Sequence, residues 1–222
     1  MKKLVVSFLV LLLLFPMVVK ADDLALIPNA KSGVLMEESR GKFIFEKNKD
    51  EKVAVASMTK MVAQILILEA IEKGQIKWND KVTASANASS MGGSQIFLST
   101  GEVLTVEEMM KGISMASAND ATVAMAEFLK GTEIDFVKEM NKKVKSLGLK
   151  NTQFKNCTGL DEEGHYSTAY DMAIIAKELL KHEEILKFSS KYEDYLRVNT
   201  PNKFWLVNTN KVVYKFYNNR LL

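Results

Sequence analysis

Apolar side chains recur at helical spacing through the middle of the chain. The first such pattern begins at Ser57 and stops at Gly74, a residue suited to the position after a helix, so it predicts a helix of about 17 residues. Its apolar positions are Met61, Ile65, Leu68 and Ile71. Similar patterns predict four further helices, over 105–117, 120–129, 133–147 and 168–180. Thr105 and Glu108 have the spacing of a capping box at the start of the first of these four.

Both ends of the chain carry short runs of β-type residues. Near the N-terminus, runs at 33–36 and 42–46 flank a polar turn that contains Gly41, and they predict a hairpin. Near the C-terminus, shorter runs predict strands at 195–198, 204–207 and 212–216. A hairpin, a helical middle and a return to strands are typical of an α+β or α/β domain, and we expect one antiparallel sheet completed by both chain ends.

The first 21 residues have the three-part layout of a secretory signal peptide. Two lysines precede an apolar run over 4–19, and small residues at 19 and 21 suit cleavage after Ala21. The apolar run is shorter than the ~20 residues that a membrane-spanning helix needs. We therefore expect residues 1–21 to be a signal peptide and 22–222 to be one exported domain. An uncleaved membrane anchor is the alternative.

Composition narrows the possible partners and cofactors. The chain has 30 basic and 27 acidic residues, but residues 1–21 hold three lysines and no acid, so the mature part has 27 of each. This balance gives no charge argument for nucleic-acid binding. Cys157 is the only cysteine, which excludes an intramolecular disulfide, and it is most simply structural. Because no His or Cys cluster has metal-ligand spacing, we expect no metal site, and we interpret His165 and His182 as surface residues.

Ser57-Met58-Thr59-Lys60 is the first candidate for catalytic chemistry. Residues three apart share a helix face, so the Lys60 amine can reach the Ser57 hydroxyl and take its proton when the amine is neutral. Free N–H groups at the start of a helix would also favour negative charge that develops near Ser57. A lone Ser-x-x-Lys is a weak signal, because Ser57 can be a simple helix cap and Lys60 a solvated charge.

Ser117-Ala118-Asn119 supplies a second hydroxyl and an amide. This element falls between two predicted helices, where side chains can project into a cleft. Ser117 and Asn119 are therefore candidate site residues, although ordinary helix caps have the same composition.

Four short motifs occur in an order and spacing that one family shares. They are Ser57-Met-Thr-Lys60, Gly92-Gly93-Ser94, Ser117-Ala-Asn119 and Thr158-Gly-Leu-Asp161. On these motifs, the chain from Ser32 to about Lys181 resembles the D-alanyl-D-alanine carboxypeptidases, which are low-molecular-mass penicillin-binding proteins of the serine peptidase type. The resemblance implies a β-lactamase/transpeptidase-like fold with an antiparallel sheet and a mainly helical middle.

The resemblance also implies a reaction and a role for each candidate. The expected substrate is a peptidoglycan stem peptide ending in D-Ala-D-Ala, which loses its terminal D-alanine through an acyl-enzyme. β-Lactam antibiotics would be covalent inhibitors. Ser57 would be the nucleophile, Lys60 the general base, and Ser117 the relay that passes a proton to the departing amine. Asn119 would bind the substrate backbone, and no cofactor is implied.

The family's third element, a Lys-Thr-Gly or Lys-Ser-Gly on the strand that lines the cleft, does not follow the helical region. Lys31-Ser32-Gly33 precedes Ser57 and is interpreted as a chance match. We therefore expect a truncated gene product or an interrupted reading frame. The remaining strands, the second oxyanion donor and the membrane-associating end would then lie beyond Leu222, leaving an unpaired sheet edge.

Two other functions stay open. A class A β-lactamase shares the Ser-x-x-Lys layout, but its Glu-x-x-Leu-Asn loop for deacylation does not occur in this sequence. A non-catalytic product that at most binds peptidoglycan or penicillin is favoured by the missing third element. Turnover of a D-Ala-D-Ala peptide would distinguish this product from the carboxypeptidase.

Overall fold

The computed structural model describes residues 26–216. The predicted signal peptide lies outside the described residues, so its cleavage and the start of the mature domain stay predictions. Residues 26–31 form a turn of their own, in which the Ala30 N–H donates to the Ile27 carbonyl oxygen at 3.2 Å. From Ser32 onward the described chain forms one compact unit.

Short strands pair into two-stranded antiparallel sheets within the described chain. The strands are β1 (Gly33–Glu37), β2 (Lys42–Lys47), β3 (Lys81–Thr83), β4 (Val103–Thr105), β5 (Glu193–Leu196) and β6 (Phe204–Val207). β1 pairs with β2, β3 with β4, and β5 with β6. The predicted N-terminal hairpin is confirmed, and so is the strand predicted at 204–207.

Helices fill the middle of the chain, as predicted. They are α1 (Lys60–Glu72), α2 (Ala86–Ser89), α3 (Val106–Ala116), α4 (Asn119–Lys130), α5 (Glu133–Ser146), α6 (Ala169–Leu180), α7 (Leu186–Ser189) and α8 (Lys211–Phe216), with 3₁₀ turns at Ala56–Thr59 and Glu183–Ile185. The four-residue α2 and the three-residue strands β3 and β4 carry too short a pattern for the sequence to indicate them. The mixture of helices and small antiparallel sheets confirms the α+β class.

Side-chain caps set where α3, α5 and α6 begin. The capping box predicted for α3 is present: the Glu108 N–H donates to the Thr105 hydroxyl oxygen at 3.1 Å, and the Thr105 N–H donates to the Glu108 carboxylate at 2.9 Å. Thr132 caps α5 and Thr168 caps α6 in the same position, each accepting the N–H three residues on. These caps explain why the predicted starts of these three helices agree with the observed ones.

The prediction of a strand at 212–216 is wrong, because this segment begins a helix. The Asn210 side-chain oxygen accepts the Val212 N–H at 3.0 Å, and the Asn210 carbonyl accepts the Val213 N–H at 3.1 Å. An asparagine that captures the first free N–H groups starts a helix, and here it overrides the β-propensity of the valines.

The two terminal hairpins do not join into one sheet in the described chain, contrary to the prediction. β1 packs against α6, whereas β6 packs against α3. Leu196 and Leu206 on the inner face of the second hairpin are buried at 0% and 1% exposure. The two hairpins therefore pack on different helices, and the first has only half-buried and exposed side chains.

Helix α1 runs through the apolar core. Its side chains from Val62 to Leu68 are almost all buried, and they pack in one apolar core with the buried Met109, Met110, Met115 and Met125. No helix between residues 26 and 216 is long and apolar enough to cross a bilayer. The first residue of α1, Lys60, places a buried charged group at the start of this helix.

Candidate active site

Ser57 and Lys60 meet at the junction of a 3₁₀ turn and α1. Ser57 lies exposed on the turn, while Lys60 is only 2% exposed. The Lys60 Nζ is 3.1 Å from the Ser57 Oγ, and it also donates to the Thr158 carbonyl oxygen at 2.7 Å. The predicted hydrogen-bond reach between the two side chains is therefore present. The helix predicted from Ser57 begins as a 3₁₀ turn, which brings residues three apart into register.

Burial changes the acid–base behaviour of Lys60. Loss of solvation lowers the pKa of its amine from 10.5 to about 8, and the nearby Cys157 opposes this change. No carboxylate among residues 26–216 forms an ion pair with the amine. A buried lysine without a counter-charge is available as a neutral base from about pH 8 upward, well below its ordinary range.

Gly159 packs directly against the backbone of Ala56 and Ser57. Its φ is +85°, and a Cβ added there would lie 1.9 Å from the Ala56 carbonyl oxygen and 3.0 Å from the Ser57 nitrogen. Ala56 itself has φ +44°, a conformation that is uncommon for a residue other than glycine. The loop after Thr158 therefore packs directly on the backbone that carries Ser57, and only glycine fits there.

Ser117 lies on the turn between α3 and α4, as predicted. It ends α3 in the left-handed conformation, with φ 57° and ψ 35°. One turn earlier, the Ser114 hydroxyl donates to the Gln64 side-chain oxygen at 3.1 Å, which ties α3 to α1 just beyond Lys60. Within the described chain, the Ser117 hydroxyl makes no hydrogen bond to Ser57 or Lys60, so its place in the predicted relay stays a prediction.

Asn119 is held at its backbone and side-chain nitrogens and leaves its side-chain oxygen without a partner. Its backbone N–H donates to the Ser94 carbonyl oxygen at 2.7 Å, and its Nδ2 donates to the Gly92 carbonyl oxygen at 2.7 Å. A Cβ on Gly93 would lie 2.8 Å from the same Nδ2, so the loop fits closely over the amide. The residue is 4% exposed, and its Oδ1 has no hydrogen-bond partner among residues 26–216. This oriented acceptor can receive a donor from a bound molecule.

Asp120 fixes the loop that covers Asn119. Its buried carboxylate accepts the Ile96 N–H at 3.1 Å and the Leu98 N–H at 2.9 Å. From the opposite side, the Arg197 guanidinium donates to the Ile96 carbonyl oxygen at 3.0 Å. The segment around Gly92 and Gly93, which the sequence indicated only as a motif, is therefore anchored at its base.

Two histidines that were interpreted as surface residues are buried. His165 and His182 are each 8% exposed. His165 bonds to Thr59 at 2.8 Å, on the 3₁₀ turn of residues 56–59, and His182 bonds to Glu72 at 2.6 Å, at the end of α1. The prediction is wrong because histidine has no hydrophobic periodicity that would reveal burial. Cys157 is fully buried, and burial raises the pKa of its thiol, in agreement with a structural cysteine.

The sequence predicted Ser57, Lys60, Ser117 and Asn119 as site residues, which stay candidates, and it assigned no role to Gly159 or His165. The Thr158-Gly-Leu-Asp161 motif was a signal for Gly159, since a glycine in a loop motif often allows another backbone to approach closely. No pattern in the sequence pairs His165 with Thr59, 106 residues apart.

Comparison with known proteins agrees with this geometry. The family profile described as D-alanyl-D-alanine carboxypeptidase, peptidase S11, matches residues 19–221. D-alanyl-D-alanine carboxypeptidase DacF of Bacillus subtilis is 65% identical over 188 residues, which are 85% of this chain and 48% of DacF. DacA of Escherichia coli is 40% identical over 175 residues, covering 72% of this chain and 43% of DacA.

Solved structures share the fold. Penicillin-binding protein 5 from Haemophilus influenzae superposes with a TM-score of 0.79 at 32% identity, covering 85% of this chain and 54% of that protein. A serine-to-alanine mutant of the Streptomyces K15 DD-transpeptidase superposes with a TM-score of 0.77 at 23% identity, covering 84% of this chain and 76% of that protein. At this identity the match shows only that the two proteins share a fold. The predicted transpeptidase-like fold is confirmed. The chain spans about half the length of the curated relatives that it matches. It belongs to the peptidase S11 family of D-alanyl-D-alanine carboxypeptidases.

Proposed function

We propose that this chain acts as a serine-type D-alanyl-D-alanine carboxypeptidase on peptidoglycan stem peptides. The observation that carries the proposal is the buried Lys60 amine, 3.1 Å from the Ser57 hydroxyl and with a pKa lowered to about 8. A hydroxyl beside a neutral amine is an activated nucleophile. The family name indicates the bond that this nucleophile would attack, which is the peptide bond between two D-alanines.

Acylation needs one proton to move twice. The Ser57 Oγ attacks the carbonyl carbon between the two D-alanines while its proton passes to the Lys60 Nζ. The oxyanion that forms is stabilised by the Ser57 backbone N–H. When the tetrahedral intermediate collapses, the C–N bond breaks and the departing D-alanine amine takes the proton, with Ser117 as the relay from Lys60. An ester of Ser57 remains.

Deacylation repeats the same steps with water. Lys60, neutral again, takes a proton from a water molecule that attacks the ester carbonyl carbon. The C–O bond to Ser57 breaks, and the serine oxygen recovers the proton. The products are D-alanine and a stem peptide shortened by one residue.

Asn119 would orient the substrate. Its Oδ1 is a buried acceptor without a partner in the described chain, and leaving such an atom unpaired costs about 1–3 kcal/mol. A substrate backbone N–H would satisfy it. Because the Gly92 carbonyl oxygen fixes the amide nitrogen, the acceptor oxygen has a defined orientation before substrate binds.

The same nucleophile would open a β-lactam. Penicillin-binding protein D2 from Listeria monocytogenes, 28% identical with a TM-score of 0.71, was solved in an ampicillin-bound form, and this chain covers 74% of it. A penicillin is therefore a suitable covalent probe of Ser57. If residues 1–21 direct export, the site would work outside the cytoplasm, next to the cell wall.

Release of D-alanine from a synthetic peptide ending in D-Ala-D-Ala tests the proposal. The full chain is compared with Ser57→Ala and with Ser146→Ala, which removes an exposed hydroxyl at the end of α5. We expect release by the unsubstituted chain and by Ser146→Ala, and none by Ser57→Ala. A folded chain that releases no D-alanine would favour the non-catalytic binding protein.

A further inference from the structure

The loop of residues 158–165 contacts residues 56–60, which form the 3₁₀ turn and the start of α1, at three points. Gly159 packs on the backbone of Ala56 and Ser57, and the Thr158 carbonyl oxygen accepts the Lys60 amine at 2.7 Å. At the far end of the loop, His165 bonds to the Thr59 hydroxyl at 2.8 Å. The first two contacts touch the nucleophile and the base directly. The third contact reaches Thr59, one of the two residues between them. The proposed reaction does not use this contact.

The hydrogen bonds of His165 fix the position of its proton. The Lys155 backbone N–H donates to Nδ1 at 3.2 Å, so Nδ1 must be the unprotonated nitrogen. The proton is then on Nε2, which donates to the Thr59 Oγ1. His165 is 8% exposed, and the centre of its ring lies 5.3 Å from the centre of the Phe154 ring. Both ring nitrogens therefore have hydrogen-bond partners, and only the neutral Nε2–H tautomer is compatible with both bonds.

The contact at Thr59 matters because of the turn on which it lies. Residues 56–59 form a 3₁₀ turn, in which side chains three apart are eclipsed, so Ser57 lies over Lys60. In an α-helical turn the two side chains would be offset around the axis. Thr59 is fully buried, and its hydroxyl is the side-chain anchor of the turn to the neighbouring loop. Loss of this anchor allows the turn to relax and the Oγ–Nζ distance to grow.

We propose that His165 is a positioning residue, which in its neutral Nε2–H form holds Thr59 and so keeps the 3₁₀ turn that places Ser57 over Lys60. This inference rests on the proposed function, since it concerns the same nucleophile and base. Within the described chain, His165 bonds to Thr59 and to the Lys155 backbone and makes no hydrogen bond to Ser57 or Lys60. It acts through Thr59 alone.

Protonation of His165 should release the anchor. An added proton on Nδ1 would face the Lys155 N–H, and two donors cannot bond to each other. Burial lowers the pKa of His165 from 6.5, while Glu162 and Asp161 on its own loop oppose this change. The other charged groups close to the ring are Glu163 on the same loop, Lys155 against Gly164, and Lys60 next to Thr59. The imidazole is therefore neutral at pH 7, and the anchor is lost only in acid.

Penicillin acylation rates of the full chain test the role. His165→Gln can keep both contacts, because its amide has one donor and one acceptor group and does not titrate, whereas His165→Leu and Thr59→Val remove the bond from either side. At pH 8 we expect His165→Gln to acylate within about twofold of the unsubstituted chain. His165→Leu and Thr59→Val should each be about tenfold slower or more, since misplacing a reacting group by ~1 Å can cost ~100-fold. The double variant should be no slower than either single one, because the two changes remove one interaction.

Two further readouts separate positioning from general stability. Below the pKa of His165, the rate for the unsubstituted chain should fall more steeply with pH than the rate for His165→Gln. Long-range ¹⁵N–¹H spectra should show the Nε2–H tautomer, assigned by the signals that disappear in His165→Gln, since the chain has two histidines. This spectrum uses the unsubstituted protein, so it decides even where His165→Leu fails to fold.

The outcomes are distinct. An Nδ1–H tautomer, or folded His165→Leu and Thr59→Val variants that acylate at the unsubstituted rate, would overturn the positioning role and leave the proposed function standing. A slow His165→Gln with intact contacts would overturn it as well. Failure of the unsubstituted chain to acylate at all would count against the proposed function, and the inference would fall with it.

Discussion

Replacing Lys60 with methionine should remove a charge that destabilises the fold below pH 8. The amine has a pKa of about 8 in the folded protein against 10.5 as the ordinary value, because burial disfavours its charged form. At ~1.36 kcal/mol per pH unit, this difference corresponds to about 3 kcal/mol of lost stability wherever Lys60 is charged in both states. Methionine has a similar length and no charge to bury.

The sign of the pH dependence follows from proton binding. Below pH 8 the amine is protonated in both states, and the full cost of burying it applies. Between pH 8 and 10.5 the unfolded chain holds a proton that the folded chain has released, so stability rises with pH in this window. Above 10.5 both states are neutral and the rise ends.

Urea unfolding of both proteins from pH 7 to 10.5 measures this effect. The free energy of unfolding of the Lys60 protein, minus that of Lys60→Met, should rise by about 3 kcal/mol over the window. The lost hydrogen bond to the Thr158 carbonyl oxygen shifts the difference by a constant of about 1–3 kcal/mol and leaves its slope unchanged. A difference that stays flat up to pH 10 would refute the lowered pKa and with it the neutral base.

Three more predictions follow from the site. The acylation rate should rise about tenfold per pH unit below 8 and level off above it, because it follows the neutral fraction of Lys60; a midpoint near the ordinary 10.5 would contradict this. Gly159→Ala should abolish acylation or folding, whereas Gly148→Ala, which has a similar φ of +75° but nothing within 4 Å of its added Cβ, should cost only about 1–2 kcal/mol in thermal unfolding. Equal losses in the two variants would show that the Cβ clash with Ala56 is unimportant. Asn119→Ala should lower kcat/KM for a D-Ala-D-Ala peptide about tenfold to a hundredfold, because the acceptor Oδ1 is lost, and should cost about 1 kcal/mol in thermal unfolding, because the Nδ2 bond to the Gly92 carbonyl oxygen is lost with it; an unchanged kcat/KM would remove Asn119 from substrate binding.

Local sequence signals predicted the parts of this fold that depend on neighbouring residues. Helix α3 follows its capping box and α1 stops before Gly74, because both signals act within one or two turns. The contact between Ser57 and Lys60 was predictable for the same reason. The helix after Asn210 was missed, since one side-chain cap outweighed a run of β-type residues.

Contacts between distant segments could not be predicted from the sequence pattern. Gly159 meets Ala56, and His165 meets Thr59, only because the loop of residues 158–165 folds back on the 3₁₀ turn of residues 56–59. Periodicity reports which face of an element is buried and says nothing of its partner. The lowered pKa of Lys60 was expected from the chemistry, but its cause, burial without an ion pair in the described chain, required the structure.

Covalent labelling with a fluorescent penicillin, followed by intact mass, tests the central claim most directly. The full chain, Ser57→Ala and the matched Ser146→Ala are treated at pH 8, and the adduct is located by peptide mapping. The account predicts one adduct, on Ser57, in the unsubstituted chain and in Ser146→Ala, and none in Ser57→Ala. Labelling that persists in Ser57→Ala, or its absence from a folded unsubstituted chain, would contradict the assignment of Ser57 and Lys60 as nucleophile and base.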